Sequence, residues 1–229
     1  MEITSSREHS SLKNYIVFFD LDRTITKTIS GRALARHAWK KGLMSFSDLI
    51  EAVTISMAYR LKIINPLTTI DKMVGWVKNM PEETMNSLCS EVFHEVLLPS
   101  VYPEVKTEIK IHKDKNARIV ILSSSLAPLC REMADYLGID DVICSELEIM
   151  KGKYTGRPLG RLCFGEEKVA RLKKYCEKNN ITAAEAWYYG DSISDLPVLS
   201  IVGNAVCINP GKKLFKQAKI NGWKIYKWL

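Results

Sequence analysis

Nowhere in these 229 residues do about eighteen apolar residues run together, the length a helix needs to cross a bilayer. No CxxC pair occurs either. Six cysteines stand apart at 89, 130, 144, 163, 176 and 207, and four histidines share no spacing, so no zinc site is expected. That scatter predicts free thiols in a reducing compartment. The polar opening MEITSSREHSSLKN has no apolar segment of a secretory signal. Residues 1–14 read as a disordered leader, and the chain reads as cytoplasmic. Internal repeats and low-complexity tracts are also missing. Acid is missing from Gly211 to Leu229, a stretch with six lysines; without it the net charge of +7 falls to about +1. The bulk of the chain is therefore no general polyanion binder, and no nucleic acid is expected as partner. A last helix and strand with solvated lysines explains the tail, so membrane contact through it is not expected.

What is present is a chain with 46% hydrophobic residues and a mean hydropathy of −0.08, enough for a sizeable core. Tyr15 to Asp20 (YIVFFD) reads as a buried strand. A helical pattern follows in four pieces: GRALARHAWKKGLM, SFSDLIEAVTISMAYRLKII, PLTTIDKMVGWVKNM and PEETMNSLCSEVFHEVLL. Ser45 and Asp48 form a capping-box-like pair before the second. From Pro103 the pattern alternates. ARIVILSSS, DDVICSEL, AEAWYYGDS, NAVCIN and WKIYKWL read as strands separated by helices, with a small hairpin at EIMKGKYTGR whose turns use Gly152 and Gly156. Repeated β-α-β units predict an α/β fold: a doubly wound, Rossmann-like parallel sheet with an inserted helical-bundle cap. The expected division is 15–29 plus 100–229 as core and 30–99 as cap. Ligands of such sheets sit beyond the strands' carboxyl ends, so a helical insert after the first strand is placed to cover that crevice.

Three predicted strand ends carry reactive side chains: FFDLD, VILSSS and WYYGDS. Asp20 and Asp22 stand two apart, Asp191 ends another strand, and Asp195 follows four later. Carboxylates this close repel each other and resist burial. A hard divalent cation with oxygen ligands, Mg²⁺, resolves the conflict. Asp20 would then stay ionised and attack phosphorus, with Asp22 as general acid and later base. Ser123, with the backbone of Ser124, and Lys168 in the first turn of GEEKVARL would receive the phosphoryl oxygens. Which serine binds depends on where the strand ends. Asp195 has two readings, a helix cap or a support behind the metal.

These residues resemble a known family. FDLDRT resembles the DxDxT signature of the haloacid dehalogenase superfamily, VILSSS its second motif, Lys168 its third and GDSISD its fourth. The position of the insert and the tail GNAVCINPGKKLFKQAKINGWKI resemble the phosphoserine phosphatase-like subgroup. The resemblance spans about Tyr15 to Leu229. It implies Asp20 as nucleophile, Asp22 as acid and base, Ser123 and Lys168 on phosphate, and Asp191 on Mg²⁺, with the main-chain carbonyl of Asp22 as a further metal ligand.

Two departures stand out. The residue after the second Asp is usually small in that family; here it is Arg23. Phosphoserine phosphatases carry a Glu shortly after the first motif that holds the substrate's ammonium. Here no acid occurs between Asp22 and Asp48, and Lys27, Arg32 and Arg36 occupy the stretch. A neutral or further anionic phosphate ester fits better than phosphoserine. Lys27 and Arg60 are the candidate substrate contacts, Arg60 equally a residue of a solvated helix face. The expected activity is Mg²⁺-dependent hydrolysis of a small-molecule phosphate monoester through an aspartyl-phosphate. The alternatives are a phosphotransferase on the same fold, or a non-catalytic relative that binds a phosphorylated ligand or a membrane. A signalling receiver domain fits poorly, because VILSSS ends in serine where its phosphoryl acceptor should be.

Overall fold

The computed structural model describes residues 15–60 and 73–229. The expected leader over 1–14, the end of the second expected cap helix (61–64) and the first part of the third (66–72) lie outside the described residues, as do the side chains of 56–60. β1 (Ile16–Phe19) is four apolar residues, all buried. They alternate between two packing layers. Val17 and Phe19 join one cluster, with Ile119 and Ile121 of β2 (Arg118–Leu126); Ile16 and Phe18 join the other, with Val120 and Leu122. A strand covered on both faces needs an unbroken apolar run, which IVFF supplies.

Six parallel strands form the main sheet in the order β3-β2-β1-β6-β7-β8. Here β3 is Asp141–Ser145, β6 Trp187–Gly190, β7 Asn204–Ile208 and β8 Lys224–Tyr226. The chain leaves β1 toward β2 and β3, then returns to place β6 on the other side of β1. The crevice therefore opens at the ends of β1 and β6. Register aligns those ends, because Phe19 pairs with both Ile121 and Tyr189. β4 (Leu147–Met150) and β5 (Lys153–Pro158) make the expected antiparallel hairpin. Gly152 sits in its turn with φ 72°, but Gly156 lies within β5 with φ 80°, not in a turn. The backbone of Lys78 comes within 3.4 Å of where a Cβ on Gly156 would stand, so the close approach explains the glycine.

In its described part, the stretch between β1 and β2 is mainly helical. α1 (Ser30–Lys40) buries Leu34, Ala35 and Ala38. α2 (Phe46–Arg60) is opened by Ser45, whose Oγ accepts the Asp48 N–H at 3.1 Å and donates to the Asp48 carboxylate at 2.6 Å. The third expected helix ends, in its described part, in a tight turn at Gly75–Val77. The fourth is not one regular helix. α3 spans Glu82–Val92, widens to a π-turn over Phe93–Leu97 and tightens to a 3₁₀ turn over Leu98–Ser100. Pro99, lacking an N–H, cannot continue the regular ladder. α4 (Pro103–Lys113), α5 (Ala127–Leu137), α6 (Glu166–Lys178), the one-turn α7 (Leu196–Leu199) and α8 (Lys212–Ile220) flank the sheet. The tail lysines Lys212, Lys213, Lys216 and Lys219 lie on α8, exposed. All six cysteines are free and buried. Among the described residues, no helix is long and apolar enough to cross a membrane.

Candidate active site

The aligned strand ends bring together side chains far apart in sequence. Asp20 follows β1, and its N–H donates to the Tyr189 carbonyl of β6 at 3.0 Å. Asp191 follows β6. Carboxylate oxygens of Asp20, Asp191 and Asp195 all lie within 4.8 Å of one another, and all three residues are buried. Opposite oxygens around Mg²⁺ stand about 4.2 Å apart, so little contraction would seat the ion. These hard, buried oxygen donors fit the metal that the sequence implies.

Asp195, however, is already engaged. Its Oδ1 accepts Lys168 Nζ at 2.8 Å and the Tyr188 hydroxyl at 2.7 Å. Its Oδ2 accepts the Ser192 N–H and hydroxyl at 3.3 and 3.2 Å. Asp195 thus anchors Lys168, a role neither of its two readings named, and it makes the cap bond to Ser192 as well. Lys168, in the first turn of α6 and only 3% exposed, spans to Asp20 Oδ1 at 2.9 Å and to the Tyr188 hydroxyl at 2.9 Å. Burial pushes Lys168 down, but Asp195 and Asp20 outweigh it and hold its pKa well above the ordinary value. Burial raises Asp195 too, yet Lys168 and the hydrogen bonds from Tyr188 and Ser192 keep it below the usual carboxylate range. Asp20 goes the other way. Burial, with Asp195 and Asp22 nearby, pushes it up to about 7 despite Lys168. The nucleophile candidate thus lacks sufficient positive charge around it, which a bound cation would supply.

Asp22 is half-buried, and its Oδ1 accepts the Ser30 N–H at the start of α1, at 2.8 Å. Ser30 Oγ also meets Ser125 Oγ at 2.6 Å. The helical stretch is therefore tied directly to the catalytic loop and to β2. Ser123 does not end its strand. The β2–β3 ladder breaks after Leu122 and resumes at Leu126, so Ser123–Ser125 form a bulge and α5 opens only at Ala127. Ser123 is fully buried with its hydroxyl 3.3 Å from Ser125 Oγ, whereas Ser124 is exposed and, with Ser125, lines the cavity over the acids.

Arg23 does not point away from the site. Its guanidinium lies 3.5 Å from Asp191 Oδ2. Its backbone is left-handed, φ 61°, which explains why a small residue suits this position. Lys27 is turned to the Tyr102 ring, 5.5 Å from its centroid, and is not among the described residues lining the cavity; Arg32 is. Arg60 closes α2, but its side chain lies outside the described residues. Sequence reasoning missed Tyr188 and Ser30. Tyr188 reads as one more apolar strand position, and nothing local marks its hydroxyl as the third partner of Lys168.

A parallel sheet whose switch point gathers buried acids, a buried lysine and a serine-rich bulge is the architecture of an α/β enzyme with its site at the strands' carboxyl ends. Residues 17–200 match the family described as haloacid dehalogenase-like hydrolase, and the chain belongs to it. A probable phosphatase of Mycobacterium tuberculosis is 27% identical over 212 residues, covering 91% of this chain and 73% of that protein. A histidinol-phosphatase of Neisseria meningitidis is 27% identical over 222 residues, covering 93% and 98%. A phosphoserine phosphatase solved as a phospho-aspartyl intermediate analogue superimposes with a TM-score of 0.71 at 18% identity, covering 93% and 92%, so it shares the fold. The chain is a hydrolase of the haloacid dehalogenase type, and its relatives carry the names probable phosphatase, histidinol-phosphatase and phosphoserine phosphatase.

Proposed function

We propose that the chain is a Mg²⁺-dependent phosphomonoesterase of the cytoplasm that transfers phosphate from a small-molecule ester to Asp20 and then to water. The observation that carries the reading is the buried set of Asp20, Asp191 and Asp195 oxygens within 4.8 Å of one another, with Asp20 and Asp195 bound to Lys168. Asp20, Asp191 and the Asp22 carbonyl would hold the ion. When bound, Mg²⁺ neutralises the acids and draws charge from the phosphoryl oxygens.

The remaining steps belong to the chain. Asp20 attacks phosphorus, forming an acyl phosphate as the ester P–O bond breaks. Asp22, held by the Ser30 N–H, gives its proton to the departing oxygen and later takes one from the attacking water. Lys168 places its charge on the phosphoryl oxygens, oriented by Asp195 and Tyr188. Ser124 and the backbone of the bulge receive the rest, with Ser123 behind them. The segment 30–99 acts as a cap over the core of 15–29 and 100–229 and excludes water while the bond is broken. Six buried free thiols support a reducing compartment.

The test is hydrolysis of p-nitrophenyl phosphate with and without Mg²⁺. Asp20→Asn should abolish Mg²⁺-dependent turnover while leaving the far-ultraviolet circular dichroism unchanged. Wild-type turnover by that variant overturns the assignment. Product analysis in the presence of glycerol separates transfer to water from transfer to an alcohol.

A further inference from the structure

The cavity above the acids holds more than a phosphate. It encloses about 220 Å³, and its floor is Asp20, Asp22, Lys168 and Asp191. Its upper wall is of a different character. Leu34 of α1, Val53 and Ile55 of α2, Val74, Trp76 and, from the core, Phe164 face the same space. Among the described lining residues, the acids are Asp20, Asp22, Asp191 and Asp195, all within the catalytic motifs. The cations are Lys168, already bound to Asp20 and Asp195, and Arg32 at an exposed position.

We infer that the leaving group is apolar, so that the substrates are phosphate monoesters of alkyl or aryl alcohols and not of amino alcohols. This deepens the phosphatase reading and rests on it. The physical reason is desolvation. An ammonium carried into this wall loses its water and, among the described lining residues, meets no carboxylate outside the catalytic set, whose acids serve the metal, Lys168 or the Ser30 N–H. A methylene meets Trp76, Val74 and Leu34 and leaves water at a gain. The occupant follows from continuity: the apolar wall and the catalytic acids line one cavity, so a phosphoryl group at Asp20 puts its ester substituent against that wall.

The test compares kcat/KM, with Mg²⁺ present, for ethyl, butyl and hexyl phosphate, phosphoethanolamine, phosphoserine and histidinol phosphate. p-Nitrophenyl phosphate serves as the control for phosphatase activity. The expected result is a rise of about fourfold per methylene along the alkyl series, with the three ammonium esters below hexyl phosphate. Val53 is half-buried, so Val53→Glu can be accommodated. It should raise phosphoethanolamine relative to ethyl phosphate about fivefold, the scale of a partly solvated ion pair. A flat alkyl series, or phosphoserine or histidinol phosphate outrunning hexyl phosphate, overturns the inference while hydrolysis of the aryl control leaves the phosphatase reading standing. Failure on every ester, the control included, overturns both. Should Val53→Glu not fold, the wild-type series alone decides.

Discussion

Adding one methyl group at Gly190 should damage both stability and turnover, and the structure says by what route. A Cβ there would stand 2.8 Å from Tyr188 Cε1 and 3.0 Å from both Cβ and Oδ2 of Asp195. Ordinary contacts begin near 3.4 Å, so the overlap is about half an ångström on two sides. Neither neighbour can swing clear, because Tyr188 is fully buried and Asp195 is 2% exposed. Overpacking of this kind costs about 2 kcal/mol, or roughly 4–8 °C of melting temperature in a chain of this length. The consequence for activity is larger. Asp195 and Tyr188 are the two groups that hold Lys168 against Asp20. A shift approaching 1 Å in a positioning group costs about a hundredfold in rate. Gly190→Ala should therefore lower kcat/KM for p-nitrophenyl phosphate about a hundredfold, measured beside a thermal melt. In an Asp195→Asn background the same methyl should cost much less, because the group it displaces no longer carries the charge. Unchanged melting and turnover in Gly190→Ala would refute the positioning argument outright.

Three further outcomes are expected. Asp20 has its pKa raised from 3.8 to about 7 in the metal-free fold, so the folded state holds a proton that the unfolded chain releases. Stability from this group is full below about pH 4 and is lost as pH rises toward 7, by about 4 kcal/mol; thermal melts in chelator should fall across that window, and the gain on adding Mg²⁺ should grow with pH. A metal effect independent of pH would contradict this. Arg23→Gln removes a half-exposed cation 3.5 Å from Asp191 and should tighten Mg²⁺ binding about two- to fivefold by calorimetry; weaker binding would show that Arg23 supports the site. Gly203→Ala places a Cβ 1.8 Å from the Ala184 carbonyl oxygen, a backbone atom that cannot yield. It should cost about 3 kcal/mol in denaturant titrations while the folded fraction keeps its specific activity.

Much of the site was legible because its signals are local. A buried parallel strand must be apolar on both faces, so IVFF followed by two aspartates announced a strand end with chemistry on it. The same grammar placed Asp191 at the end of β6, while Lys168 was placed by the helical pattern of GEEKVARL. Legibility failed where a bulge replaced a regular ladder: the sequence does not say which serine of VILSSS closes the strand, and the ladder breaks after Leu122 and resumes only at Leu126. It failed also at Gly156, where a neighbouring backbone, not a turn, requires the glycine. Arg23 was visible as unusual, but its contact with Asp191 crosses from one strand end to another and leaves no trace in spacing.

The order of residues alone determined the doubly wound sheet and the helical character of the described residues that follow β1, and it singled out Asp20, Asp22 and Asp191 as the candidate reacting and metal-holding carboxylates, since periodicity and motif spacing act over a few residues along the chain. Only the tertiary structure decided that Tyr188 and Asp195 share Lys168, that Ser30 orients Asp22, and that an apolar wall faces the acids. Lys168, which Tyr188 and Asp195 share, reaches Asp20 148 positions away, and these relations exist only once strand register has aligned the carboxyl ends of β1, β2 and β6.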